Sequence, residues 1–276
     1  MVSDKLVGEA PRGLSKNEAT CDRRREGFLI DSSGLSKEAD TRPVVFCLPH
    51  AGAGSSAYRG WSDSIGLTAE VVLLQLPGRE SRFREPLLSQ MREATGEYCQ
   101  VIASYDRPYI LFGNSLGGLI AFEIAHEMER RCGRGPIHLL VASASAPHVP
   151  RRLPPIHALS DREFVQNLND RYQCLPQQIL DDPEYLAALI PALRADLKIF
   201  ETYQYRKREA LSCPISVFGG RKDGSMHEED LNSWGEHTSS DFQLKMFDAG
   251  HIFLQSHKPG LIGHLRSAIA KQTMRL

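Results

Sequence analysis

Tyr109-Ile110-Leu111-Phe112-Gly113-Asn114-Ser115-Leu116-Gly117-Gly118 is the stretch whose reading decides the fold. Residues 109–112 are suited to a buried strand, and Leu119, Ile120, Phe122, Ile124 and Ala125 recur at helical spacing directly afterwards. Between them, Gly-Asn-Ser-Leu-Gly reads as a tight strand-to-helix turn that holds a serine hydroxyl clear of the backbone. Side chains two before and two after the serine would crowd such a turn, which accounts for Gly113 and Gly117. The same turn aims the Leu116 N–H and a helix N-terminus at the point where negative charge develops on an attacked carbonyl.

Working outward, Pro43 to Leu48 reads as a fully buried strand entered by a proline. It runs into Pro49-His50-Ala51-Gly52-Ala53-Gly54-Ser55-Ser56, whose small residues allow close backbone approach to a ligand. The Ala51 N–H is the expected second donor to an oxyanion, with Gly52 next in line, and His50 shapes the loop rather than acting as a base. Glu70 to Leu76 is the next strand, and Leu87, Leu88, Met91, Ala94, Tyr98, Val101 and Ile102 mark a helix leading into the serine turn. The helix after Ser115 closes at Cys132-Gly133, and Ile137 to Val141 is a further strand. This alternation predicts an α/β fold with a mostly parallel, doubly wound sheet.

The alternation stops after Ser143. From about 147 to 212 prolines separate helical stretches with no strand, which reads as a helical lid insertion over the site. Its apolar residues Phe164, Leu168, Leu186, Leu189 and Leu193 are candidates for an acyl pocket, although helix-to-core packing is the commoner role for such a face. The sheet resumes at Pro214 to Phe218, Glu228 to Trp234 is helical, Phe242 to Phe247 is the last strand, and an amphipathic helix ends the chain. Residues 1–26 are polar and mixed in charge, with Arg23-Arg24-Arg25, and read as a disordered tail. Gly27 to Ile30 reads as a short first strand, and 27–276 as one domain.

With 276 residues, 41% hydrophobic and 24% charged, the chain suits a globular α/β domain. A net charge of -1 gives no bulk attraction for nucleic acid or an anionic membrane. The six cysteines lack C-x-x-C spacing and read as reduced core residues, with no zinc-like cluster. No apolar run reaches membrane-spanning length and the N-terminus lacks a signal-peptide core, so a cytoplasmic location is expected.

A serine needs a base, and the base needs a partner to hold its tautomer. Chain order should run serine, acid, histidine. Asp223 follows the penultimate strand and His251 the last one, so both fall at the sheet edge that carries Ser115. Asp248 is too near His251 along the chain to aim at its ring, and Asp230 and Asp241 fall in a helix and a strand approach. His237, His257 and His264 read as surface residues. Ser115, Asp223 and His251, with the Leu116 and Ala51 amides, therefore form the expected site of a serine acyl hydrolase that requires no metal or organic cofactor.

Beyond the serine turn, Leu48-Pro49-His50-Ala51-Gly52, Leu76-Pro77-Gly78-Arg79-Glu80 with Arg84-Glu85-Pro86, and Leu193-Arg194-Ala195-Asp196 with Glu201-x-Tyr203-x-Tyr205 stand out. Val217-Phe218-Gly219-Gly220 before Asp223, and Gly250-His251 with Phe253-Leu254, complete the pattern. From about Phe28 onward the chain resembles the type II thioesterases, stand-alone editing enzymes of nonribosomal peptide and polyketide synthesis with an α/β-hydrolase fold. The resemblance implies a substrate of acyl or aminoacyl groups on the phosphopantetheine of acyl or peptidyl carrier proteins, in antibiotic-type pathways; a monomer is expected. The family usually carries His at Asn114, Met at Leu116 and Pro at Gly224; Leu116 acts through its backbone, and Asn114 is expected to alter the pocket wall. A carboxylesterase or acyltransferase of the same fold, and a non-catalytic scaffold that binds carrier protein, are the alternative readings.

Overall fold

The computed structural model describes residues 40–273, so the expected tail over 1–26 and the short strand at 27–30 lie outside the described residues. Six strands form one sheet: β1 (Val44–Leu48), β2 (Glu70–Leu73), β3 (Tyr109–Asn114), β4 (His138–Ala142), β5 (Ile215–Gly220) and β6 (Phe242–Phe247). Their order is β2-β1-β3-β4-β5-β6, and every pair is parallel. The chain leaves β1 for the edge at β2 and returns on the other side as β3. That reversal opens a crevice between the carboxyl ends of β1 and β3, where the loop after β1 meets the serine turn.

Parallel strands covered on both faces need apolar side chains in both directions. Val44, Phe46 and Leu48 of β1 point into a core shared with α2 (Met91–Ala103) and α3 (Leu116–Cys132). Val45 and Cys47 point the other way, toward α1 (Trp61–Ile65) and α8 (Lys258–Thr273). Each such side chain contributes about 1.5–3 kcal/mol on burial.

Between β4 and β5 lie α4 (Asp161–Tyr172), α5 (Gln177–Leu180) and α6 (Pro183–Thr202), with no named strand. Ser160 and Glu163 cap α4 reciprocally, and α6 starts on Asp182, whose carboxylate accepts the Tyr185 N–H, with Pro183 at the first helical position. The insertion has its own apolar cluster of Ile156, Phe164, Leu168, Ile190, Leu193 and Leu197. Phe164 thus packs inside the lid.

Three elements differ from their expected bounds. β2 ends at Leu73 rather than Leu76: Leu74 N–H still reaches Cys47 O at 2.9 Å, but β1 is finished and the Gln75 side chain binds Ser55 N–H and Arg79 O instead. α2 begins at Met91, not Leu87, because Leu87 covers the turn at Gly78, where a Cβ would stand 2.2 Å from Leu87 Cδ2. α7 (Glu228–Asn232) is only a short helix, and Ser233–His237 continues it as a tighter 3-10 turn. No described helix is long and apolar enough to cross a membrane.

Candidate active site

Ser115 sits at the carboxyl end of β3 with φ 52° and ψ −118°, a conformation held by its own N–H donating to Ala142 O at 2.7 Å. The flanking glycines are sterically obligatory. A Cβ on Gly113 would stand 2.3 Å from Gly117 O, and one on Gly117 would stand 2.2 Å from Leu48 O. The serine hydroxyl lies 3.0 Å from His251 Nε2, and His251 Nδ1 lies 2.7 Å from Asp223 Oδ2. Since the carboxylate can only accept, Nδ1 carries the proton and Nε2 presents its lone pair to Ser115.

Asp223 is buried, which acts to raise its pKa. The hydrogen bond from His251, the His251 charge and the hydrogen bonds from Ser225 outweigh burial, and the carboxyl is held below its ordinary range. Ser225 was not legible as part of this chain. Its N–H and Oγ–H both donate to Asp223 Oδ1, at 2.9 and 2.6 Å, and its oxygen stands 3.3 Å from His251 Nδ1. Ser143 was missed likewise: its hydroxyl donates to His251 O at 2.7 Å. The one available signal was position, since both follow strands at the same sheet edge. Ser225→Ala removes a charge-assisted hydrogen bond of about 1.5–3 kcal/mol. Its kcat on an activated acyl ester is expected to fall about tenfold, with KM unchanged; steady-state kinetics checks this.

Among the described residues, neither the Leu116 N–H nor the Ala51 N–H has a hydrogen-bond partner, and both residues line the pocket that contains Ser115. The Gly52 N–H, next in line in the sequence reading, is taken by Asp196 Oδ2 at 2.8 Å. The pocket is small, about 80 Å³, and Leu168, Leu197 and Phe200 supply its apolar wall. Leu189 and Leu193 line a neighbouring cavity of about 380 Å³ instead. Tyr172 packs against the His251 ring at a tilt of 52°, 4.9 Å between centroids, and borders the pocket together with two larger cavities.

His50 Nδ1 lies 3.1 Å from Asn114 Nδ2; Asn114 is buried and meets the pocket through His50, which lines it. Burial, then the neighbouring His251, pushes His50 down to about 4, which leaves it a neutral group that shapes the loop. The rival carboxylates are engaged elsewhere: Asp248 with Lys222, and Asp230 with Arg152 and the His227 N–H. His237 is buried rather than on the surface, because its ring packs on Phe122 and Trp234 and meets His148 Nδ1 at 2.7 Å. Cys47, Cys99 and Cys213 are free and buried as expected, but Cys132 is exposed beyond the packed face of α3.

Residues 43–269 match the thioesterase domain family. The chain is 37% identical over 221 residues to the gramicidin S biosynthesis protein GrsT of Aneurinibacillus migulanus, covering 79% of this chain and 85% of that one. Two solved structures are similar along their length. ClbQ from the colibactin NRPS/PKS pathway superposes with a TM-score of 0.80 at 25% identity, over 85% of this chain and 100% of that chain. The type II thioesterase BorB from the borrelidin biosynthetic cluster gives 0.74 at 31% identity, over 84% and 92%. A sheet and serine turn of this design, matched over almost every described residue, mean that the chain belongs to the thioesterase family.

Proposed function

We propose that this protein hydrolyses acyl and aminoacyl thioesters carried on the phosphopantetheine arm of acyl or peptidyl carrier proteins, clearing stalled units from a polyketide or nonribosomal peptide assembly line. The observation that carries the chemistry is the hydrogen-bonded chain Ser115–His251–Asp223 beside two amides that have no partner among the described residues. The biosynthetic setting is supported by the pathways named for its relatives. The proposed molecule is a cytoplasmic monomer whose partner is a carrier protein, with no nucleic acid or membrane involved.

In this mechanism Ser115 Oγ attacks the thioester carbonyl while His251 Nε2 takes its proton. The Leu116 and Ala51 amides bind the oxyanion, each contributing about 10²–10³ in turnover. Collapse breaks the C–S bond, and His251 returns the proton to the departing pantetheine sulfur. Water, deprotonated by the same nitrogen, then attacks the acyl-serine, and the tetrahedral intermediate releases the free acid and Ser115 Oγ–H. Every proton and electron pair is accounted for by these groups and water, so the mechanism calls for no metal or organic cofactor.

The test compares acetyl- and longer acyl-phosphopantetheinyl carrier protein with matched p-nitrophenyl esters. Faster cleavage of the carrier-linked thioesters is the expected result. Cleavage of the esters alone would make the protein a carboxylesterase, transfer to an added alcohol or amine an acyltransferase, and no turnover a scaffold.

A further inference from the structure

Two sequence motifs remain without a part in the chemistry: Leu76-Pro77-Gly78-Arg79-Glu80 and Leu193-Arg194-Ala195-Asp196. In the fold they meet on the far side of the loop that carries Ala51. Arg79 donates to both oxygens of Asp196, at 2.5 and 2.8 Å, with side chains 7% and 1% exposed, and Arg79 Nη1 also reaches Ala53 O at 3.4 Å. Glu80 accepts from the Ser55 and Ser56 hydroxyls, and Gln75 Oε1 accepts the Ser55 N–H. The first motif therefore clamps the loop from one side.

The lid clamps it from the other. Ala53 N–H donates to His50 O at 3.1 Å, closing a turn in which Gly52 has φ 77°, the value required at the third position of a type II turn. Turn types I and II differ by a flip of the central peptide, here the one between Ala51 and Gly52. The N–H of that peptide is the group that Asp196 Oδ2 holds at 2.8 Å. Helix α6 also lies directly on the turn, where a Gly52 Cβ would stand 2.1 Å from Leu193 Cδ2.

We infer that Asp196 is a positioning residue: carried on the lid helix α6, it pins the Gly52 N–H and with it the turn whose Ala51 amide borders the Ser115 pocket, and the oxyanion site is complete only while α6 is seated. This inference rests on the reading of Ser115 as an acyl-transfer nucleophile. The Arg79 guanidinium has a distinct part, which is to neutralise the buried carboxylate and keep it aimed at the Gly52 N–H.

Two double variants separate positioning from packing, each without the buried ion pair. Arg79→Met with Asp196→Leu removes the acceptor, whereas Arg79→Met with Asp196→Asn keeps a side-chain oxygen of the same reach. Wild type and Ser115→Ala are assayed first on S-acetyl-N-acetylcysteamine, so that failure of the nucleophile reading shows there and not in the doubles. The leucine double is expected to lose about 10² in kcat with KM and the pH–rate profile unchanged, the signature of a lost oxyanion donor beside an intact triad. The asparagine double is expected to recover most of that loss. Equal kcat in the two doubles, or a loss confined to KM, would overturn the inference. Should the leucine double not fold, amide exchange in ¹⁵N-labelled wild type decides. Gly52 protection matching that of α6 supports the inference, and exchange as fast as an exposed loop overturns it.

Discussion

Ser115→Ala is expected to lower kcat by about 10⁶ on every acyl donor, because the remaining members of a serine triad act only through the nucleophile. The residual rate should come from the Leu116 and Ala51 amides, which still polarise a bound carbonyl. Binding should survive. Among the described residues the hydroxyl is hydrogen-bonded to His251 alone, and Ser115 keeps its turn through the backbone bond to Ala142 and the glycines on either side. Single-turnover kinetics with acyl carrier protein, together with calorimetric binding of the same substrate, checks both halves. A variant that lost binding along with turnover would mean that the serine turn itself had collapsed.

Asp223→Asn is expected to cost about 10⁴ in kcat while leaving the fold in place. An amide can turn its N–H₂ toward His251 Nδ1, which then becomes the acceptor and moves the ring proton to Nε2. That nitrogen can no longer take a proton from Ser115. Stability should show the charge separately. The folded pKa of Asp223 is depressed, so its stabilisation is fully present above the unfolded value of about 3.9 and is lost as pH falls from there through the folded pKa. The melting-temperature difference between wild type and Asp223→Asn should therefore stay flat from neutrality to about pH 4 and shrink below it. Thermal melts across that range give the answer directly.

Much of this fold could be read from local sequence, because a strand buried on both faces leaves little freedom. Val44 to Leu48 and Tyr109 to Phe112 are apolar in both directions, and the glycines around Ser115 answer to contacts within a few residues or with the adjacent strand. Asp223 and His251 could be named because each follows a strand at one sheet edge, and chain order then limits the choices. The rest depends on partners far away in sequence. Leu87 and Leu88 have helical spacing with Met91, yet Leu87 is drawn to the turn at Gly78 and the helix waits for Met91. Asn114 stands beside Ser115, yet its side chain finds His50, 64 residues upstream, a pairing no local pattern shows. His237 sits in a polar stretch and is nonetheless buried, because Phe122, Trp234 and His148 enclose it. Ser225 carries no signal beyond its place after β5; only the folded position of Asp223 gives its hydroxyl a purpose.

The hydrogen bond from Gly52 to Asp196 joins positions 144 residues apart, and that between Ser115 and His251 spans 136. Closing loops of that length costs conformational entropy before any contact can offset it. During synthesis, then, the serine turn can be finished while the histidine that must activate it is still inside the ribosome. A copy cut short before the end of β6 would carry the nucleophile without its base.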